Sequence, residues 1–238
     1  MSTEPRLDLL LGRLDRWRHF PDYQLERRVD IFLAAYLHEL LEPWLGVVLH
    51  PVIVPELPLK QPDTHRSDKV DYALFARDKS RVFFLELKTD GSSRRTKQDA
   101  YLKEARARGF RAILRELVAI ARRTQATRKY FHLLSALADA GFLELPADLE
   151  AHLYPRIRRG LDARLAAIEI VDHDPPIELL YLQPSPTDGD RCLGFADAAR
   201  HLRTTGEPLA QRLAELLERW AEEPAGSRPP VSAASKPT

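Results

Sequence analysis

Residues 67–98 read SDKVDYALFARDKSRVFFLELKTDGSSRRTKQ. Two short runs rich in β-formers, Val70–Phe75 and Val82–Leu87, flank the polar tetrad Arg77-Asp78-Lys79-Ser80. Apolar alternation, a polar break and renewed alternation predict a β-hairpin. Each run carries charge where a buried strand should not. Asp71 lies between Val70 and Tyr72, and Glu86 and Lys88 share one face of the second strand, because strand side chains alternate. Phe83, Leu85 and Leu87 take the other face. A strand apolar on both faces belongs in the middle of a sheet, so these charges are expected to be functional or paired rather than solvated.

Burial of a lone carboxylate is costly, and the usual remedies are a counter-charge, hydrogen bonds or a metal. Glu86 and Lys88 are expected to project the same way, roughly 6.6 Å apart along the strand. Two carboxylates beside an ammonium make a hard-oxygen cation site with a water-orienting amine next to it. The plainer reading is a buried ion-pair cluster that only ties two strands together.

Outward from the hairpin, the chain reads as helices on both sides. Leu7, Leu10, Leu11, Leu14 and Trp17 have helical spacing. A second helix is expected from Tyr23 to Leu41, with Glu26 at the edge of its apolar stripe and able to reach the sheet. Val47–Val54 is a strand candidate, with Pro51 suggesting an edge or bulge. Pro55, Pro58 and Pro62 mark a loop over Glu56–Arg66. After the hairpin, Thr89–Ser93 is a capping loop, followed by a helix from Arg94 to Arg108 with Gly109 as its C-cap. Further helices are expected at Phe110–Ala121, Tyr130–Ala140 and Leu149–Leu165. Residues 110–165 thus form a helical insertion. Ala167–Val171 and Glu178–Gln183 read as strands, and Phe195–Leu202 and Leu209–Trp220 as closing helices.

Asp71, then Glu86-Leu87-Lys88 on the next strand, then a helix bearing Gln98, resembles the PD-(D/E)XK nuclease superfamily. Glu26 matches the extra acidic residue that many members carry on an upstream helix. The sequence departs in having Val70, not Pro, before Asp71. Tyr101 follows Gln98 by three residues, where members with this pair usually have four. The resemblance covers Glu26 to Gln98 and extends to the strand near Leu179–Gln183. It implies an α/β, restriction-endonuclease-like core: a central mixed sheet flanked by helices in αβββαβ order. Residues 1–221 would form this single domain, and 222–238, rich in Pro, Ser and Ala, a disordered tail.

The resemblance further implies that Asp71, Glu86 and the Leu87 backbone carbonyl bind Mg²⁺ or Mn²⁺, with Glu26 completing the metal shell or a second metal position. Lys88 would orient the attacking water, and Gln98 a water or a phosphate oxygen. Between Arg94 and Lys129 stand twelve basic residues, opposed only by Asp99, Glu104 and Glu116. Arg94, Arg95 and Lys97 are the expected phosphate contacts at the loop-to-helix junction, together with Tyr101.

Composition narrows the classes. With 44% hydrophobic and 30% charged residues in 238, the chain reads as globular, and its net charge of +1 points to no partner. A single cysteine, Cys192, excludes an internal disulfide and a cysteine-based metal site. No run approaches the ~20 apolar residues of a membrane span. Residues 1–6 carry no apolar signal segment, so a cytoplasmic location is expected. Glycine-rich phosphate loops and a nucleophile-elbow motif are absent. The expected function is a metal-dependent nuclease, with DNA the leading substrate, in repair or defence. The alternative is a nuclease-fold binding or assembly module with little catalysis. Helices 110–165 serving as a scaffold for a protein partner is a third reading, and a homodimer is among the oligomeric states allowed.

Overall fold

A computed structural model of the chain describes residues 4–20, 24–60, 67–89, 96–153, 158–187, 189 and 191–222. Helices α1 (Glu4–Trp17), α2 (Glu26–Ala34) and α3 (Leu37–Leu45) come first. Strands β1 (Val54–Lys60), β2 (Ser67–Phe75) and β3 (Val82–Leu87) follow, then α4 (Thr96–Arg108), α5 (Phe110–Arg123) and α6 (Thr127–Asp139). Next are β4 (Leu143–Glu144), a short 3-10 turn (Glu150–Leu153), α7 (Arg158–Ala166), β5 (Glu169–Ile170), β6 (Ile177–Gln183) and β7 (Arg191–Gly194). Helices α8 (Phe195–Arg203) and α9 (Pro208–Glu222) close the order. The protein is α/β, with a five-stranded sheet ordered β1-β2-β3-β6-β7 and a separate β4-β5 pair.

The hairpin forms where its alternation places it. β2 and β3 pair antiparallel, with Tyr72 opposite Leu85 and Phe75 opposite Val82. The polar tetrad makes the turn: Asp78 Oδ1 accepts the Ser80 N–H at 2.9 Å, and Lys79 has φ 62°. β3 is buried along its whole length, as an internal strand should be. β6 runs parallel to β3. The Val82 N–H donates to the Pro176 carbonyl and the Lys88 N–H to that of Leu182, so donor and acceptor advance together. The sheet is therefore mixed.

The chain divides into two compact units, Leu41–Glu86 with Thr96–Tyr181, and Met1–Leu40 with Leu87–Arg95 and Leu182–Thr238. In the first, β1–β3 pack against the apolar faces of α4, α5 and α6. Phe110, Ile113, Leu114, Leu117, Val118 and Ala121 form one buried stripe on α5. Phe75, Phe110 and Phe142 meet with ring centroids 5.0–5.9 Å apart. In the second unit α9 packs against both α8 and α1, and Trp220 Nε1–H donates to Asp15 at 2.8 Å.

Several elements differ from the sequence expectations. The edge strand lies at Val54–Lys60 rather than Val47–Val54, so the first part of the expected proline loop is strand; Gln61–Arg66 lie outside the described residues. Prolines are tolerated there because one side of an edge strand makes no ladder bonds. The helix expected over Tyr23–Leu41 is two helices broken at Ala35–Tyr36, and continuous apolar spacing hid the break. The Leu149–Leu165 helix is a 3-10 turn and α7. Pro155 stands in the sequence between them, without an N–H to continue a helix. Only Glu169–Ile170 of Ala167–Val171 is strand, and it pairs with β4 outside the main sheet. β7 was not anticipated, because four residues with a polar start give no periodicity. Of the expected tail, Glu222 closes α9 and the rest lies outside the described residues. Among the described residues no helix is long and apolar enough to cross a membrane.

Candidate functional site

β1 and β2 carry an irregularity at the site. Glu56 on β1 has φ 52°, which a bulky residue seldom adopts. The ladder row that would join Glu56 to Asp71 is missing between Pro55↔Tyr72 and Leu57↔Val70. The core-facing phase shifts there. Val54 is followed by Leu57 and Leu59 on one strand, and Phe75 and Ala73 by Val70 on the other. Asp71 sits at this shift and is half-buried. One step beyond Tyr72↔Leu85, the β2–β3 register brings Asp71 to the level of Glu86.

Glu86 is fully buried, at 0% exposure. Its Oε2 accepts a hydrogen bond from the side-chain amide of Gln98, in the first turn of α4. Three residues on, the Tyr101 hydroxyl donates to the Lys69 carbonyl at 2.8 Å. Burial, then the negative charge of Glu86, and to a smaller degree those of Asp68 and Asp71, push the Tyr101 phenol well above its ordinary pKa; a hydrogen bond with Gln98 acts the other way. Three carboxylates therefore act on one phenol. Asp99 beside Gln98 accepts the hydroxyl of Tyr181, a buried residue on β6, at 2.9 Å. Asp68 and Tyr181 were missed from the sequence. The Asp68-x-x-Asp71 spacing was the available signal for the first, and Tyr181 gave none.

In the other unit Lys88 is buried, 4% exposed, and its backbone N–H bonds to the Leu182 carbonyl at 2.9 Å. Glu26 at the start of α2 accepts the Thr89 N–H at 3.4 Å, so this acid lies against the segment that follows Lys88. Buried Gln183 donates to the Ser185 carbonyl at 2.7 Å. Leu87 is the last residue of β3. Arg94 and Arg95 lie outside the described residues, and Lys97 is on α4 with its side chain outside them.

Among the described residues no group of three or more His, Cys, Asp and Glu side chains is placed to hold a metal ion. Asp71 and Glu86 offer hard oxygens, and Mg²⁺ commonly takes one or two carboxylates and fills its other positions with water and substrate phosphate. The donor chemistry at β2–β3 fits such an ion. No protein-family model, curated protein or solved structure matches this chain.

Proposed function

We propose that this protein is a metal-dependent nuclease of the PD-(D/E)XK type, hydrolysing the phosphodiester bonds of nucleic acid, with DNA the leading substrate. The observation that carries the reading is the Glu86 carboxylate: entirely buried, held by the Gln98 amide, on a strand adjoining the one that bears Asp68 and Asp71. An acid kept inside a core needs a reason, since a nonpolar side chain there would spare the desolvation cost. The chain order of three antiparallel strands, a helix and a later strand parallel to the third supports a restriction-endonuclease-like core.

In this reading Asp71 and Glu86 would hold a Mg²⁺ or Mn²⁺ ion. The bound ion supplies Lewis-acid polarisation of the scissile phosphate and a lowered pKa for the attacking water. Gln98 fixes the orientation of Glu86, as partners of metal-ligating carboxylates do. Lys88, two residues after Glu86 in the chain, would by the resemblance orient the attacking water and offset negative charge that grows as the phosphorus–oxygen bond to water forms and the bond to the leaving oxygen breaks. The competing reading, a polar cluster that only joins strands, draws on the same Gln98–Glu86 bond. Purified protein incubated with labelled single-stranded, duplex and branched DNA separates the two. Cleavage that needs Mn²⁺ and is lost in Lys88→Ala supports the nuclease; no cleavage of any substrate, or equal cleavage by Lys88→Ala, removes it.

A further inference from the structure

From Leu117 to Ala138 the chain contains no Asp or Glu, yet it carries Arg122, Arg123, Arg128, Lys129 and His132. The fold concentrates this charge. α5 ends at Arg123 and α6 begins at Thr127, so the four Arg and Lys residues lie within a turn of one short corner. The corner is well built: the Ala126 N–H bonds to Thr124 Oγ1 at 3.1 Å and the Thr127 hydroxyl to the Thr124 carbonyl at 3.2 Å. Arg122 is committed to structure, donating to the Leu165 and Ala166 carbonyls at the end of α7. Arg123, Arg128 and Lys129 are exposed.

The corner is joined to the candidate site. Tyr130, next to Lys129, packs on the core, and burial raises its phenol pKa while the Lys69 ammonium acts against that rise. Lys69 is itself ion-paired, its ammonium donating to Glu56 on β1 at 2.6 Å. Its own carbonyl takes the Tyr101 hydroxyl, and Tyr101 feels the charge of Glu86. The exposed cations of the α5–α6 corner thus lie on the same compact unit as Asp71 and Glu86. A polyanion held at this corner could approach those acids only with a cation to offset the carboxylates.

We infer that Arg123, Arg128 and Lys129 form a phosphate-backbone contact surface on the unit that carries Glu86. This rests on the nuclease reading and names the face its substrate crosses. The contacts are sequence-independent, since these side chains meet phosphates and carry no base readout.

The test measures binding with the metal chelated, so that it does not depend on cleavage. A fluorescent 20-base-pair duplex is titrated with the wild-type protein and with Arg123→Ala/Arg128→Ala/Lys129→Ala across a range of salt concentrations. Each lost phosphate contact lowers the slope of log affinity against log salt by about 0.9, so the triple variant is expected to lose up to ~2.7 of slope and at least about tenfold in affinity near 0.1 M salt. Lys129→Ala alone repeats the test with about 0.9 should the triple variant melt early. Wild-type binding with an unchanged slope in both variants overturns the surface and leaves the nuclease reading standing. Absence of duplex and single-strand binding by the wild type overturns both. Equally tight binding of polyglutamate, lost in the same variants, overturns nucleic acid as the partner.

Discussion

Gln98 on α4 donates its side-chain amide to the buried Glu86 carboxylate on β3. The bond fixes which way that carboxylate faces, and Gln98 is an uncharged donor. If Glu86 is a cation ligand, Gln98→Ala should weaken Mn²⁺ binding by about 10–100-fold, the usual cost of losing a partner to a ligand. Calorimetric titration of both proteins checks this.

The same pair separates charge from shape. Glu86→Gln keeps the volume and can still bond to Gln98, so its stability should stay within about 1 kcal/mol of the wild type. Glu86→Ala leaves a void and removes the Gln98 partner, and should cost about 2–4 kcal/mol. Urea denaturation of the two variants gives both numbers.

Tyr181 anchors α4 beside Gln98 through Asp99. Tyr181→Phe removes the hydroxyl and keeps the ring, so it should cost about 1.5–3 kcal/mol, as expected for a hydrogen bond to a charged acceptor. Denaturant melts measure it, and a loss below a few tenths would remove the anchoring role.

Tyr36 donates to Glu207 at 3.0 Å, and burial with that hydrogen bond pushes its pKa up to about 12. A phenol whose pKa is raised on folding contributes stability that is complete below its unfolded value near 10. That stability is lost as the pH climbs through the folded value. Thermal melts at stepped alkaline pH should show the wild type falling more steeply from about pH 10 to 12 than Tyr36→Phe.

Phe110 meets Phe75 and Phe142 at the centre of its unit with no exposure. Phe110→Ala should cost about 3–5 kcal/mol in urea melts.

Much of this architecture was legible in the sequence, for physical reasons. The hairpin announced itself through alternation around Arg77–Ser80, and α5 through its unbroken apolar stripe. Glu86 stood out as an acid in an apolar run, and its complete burial bears out the expectation that it is not a solvated charge. β1 was misplaced because Pro55, Pro58 and Pro62 read as a loop, although an edge strand holds Pro55 and Pro58. The phase shift at Glu56 and Asp71 follows from one positive φ at a residue whose type gives no hint of it. The Tyr181–Asp99 bond joins residues 82 apart, a separation that local pattern cannot bridge.

The central claim is that Asp71 and Glu86 hold a divalent cation. Titration of Mn²⁺ into wild type, Asp71→Ala and Glu86→Gln, followed by melting temperature and by the electron-spin signal of free Mn²⁺, tests it directly. The account predicts that wild type binds and gains about 2.7 kcal/mol of stability at a hundredfold excess over its dissociation constant. Both variants should remain folded and gain nothing. Wild type that neither binds nor is stabilised, or variants that bind as tightly as wild type, would contradict it.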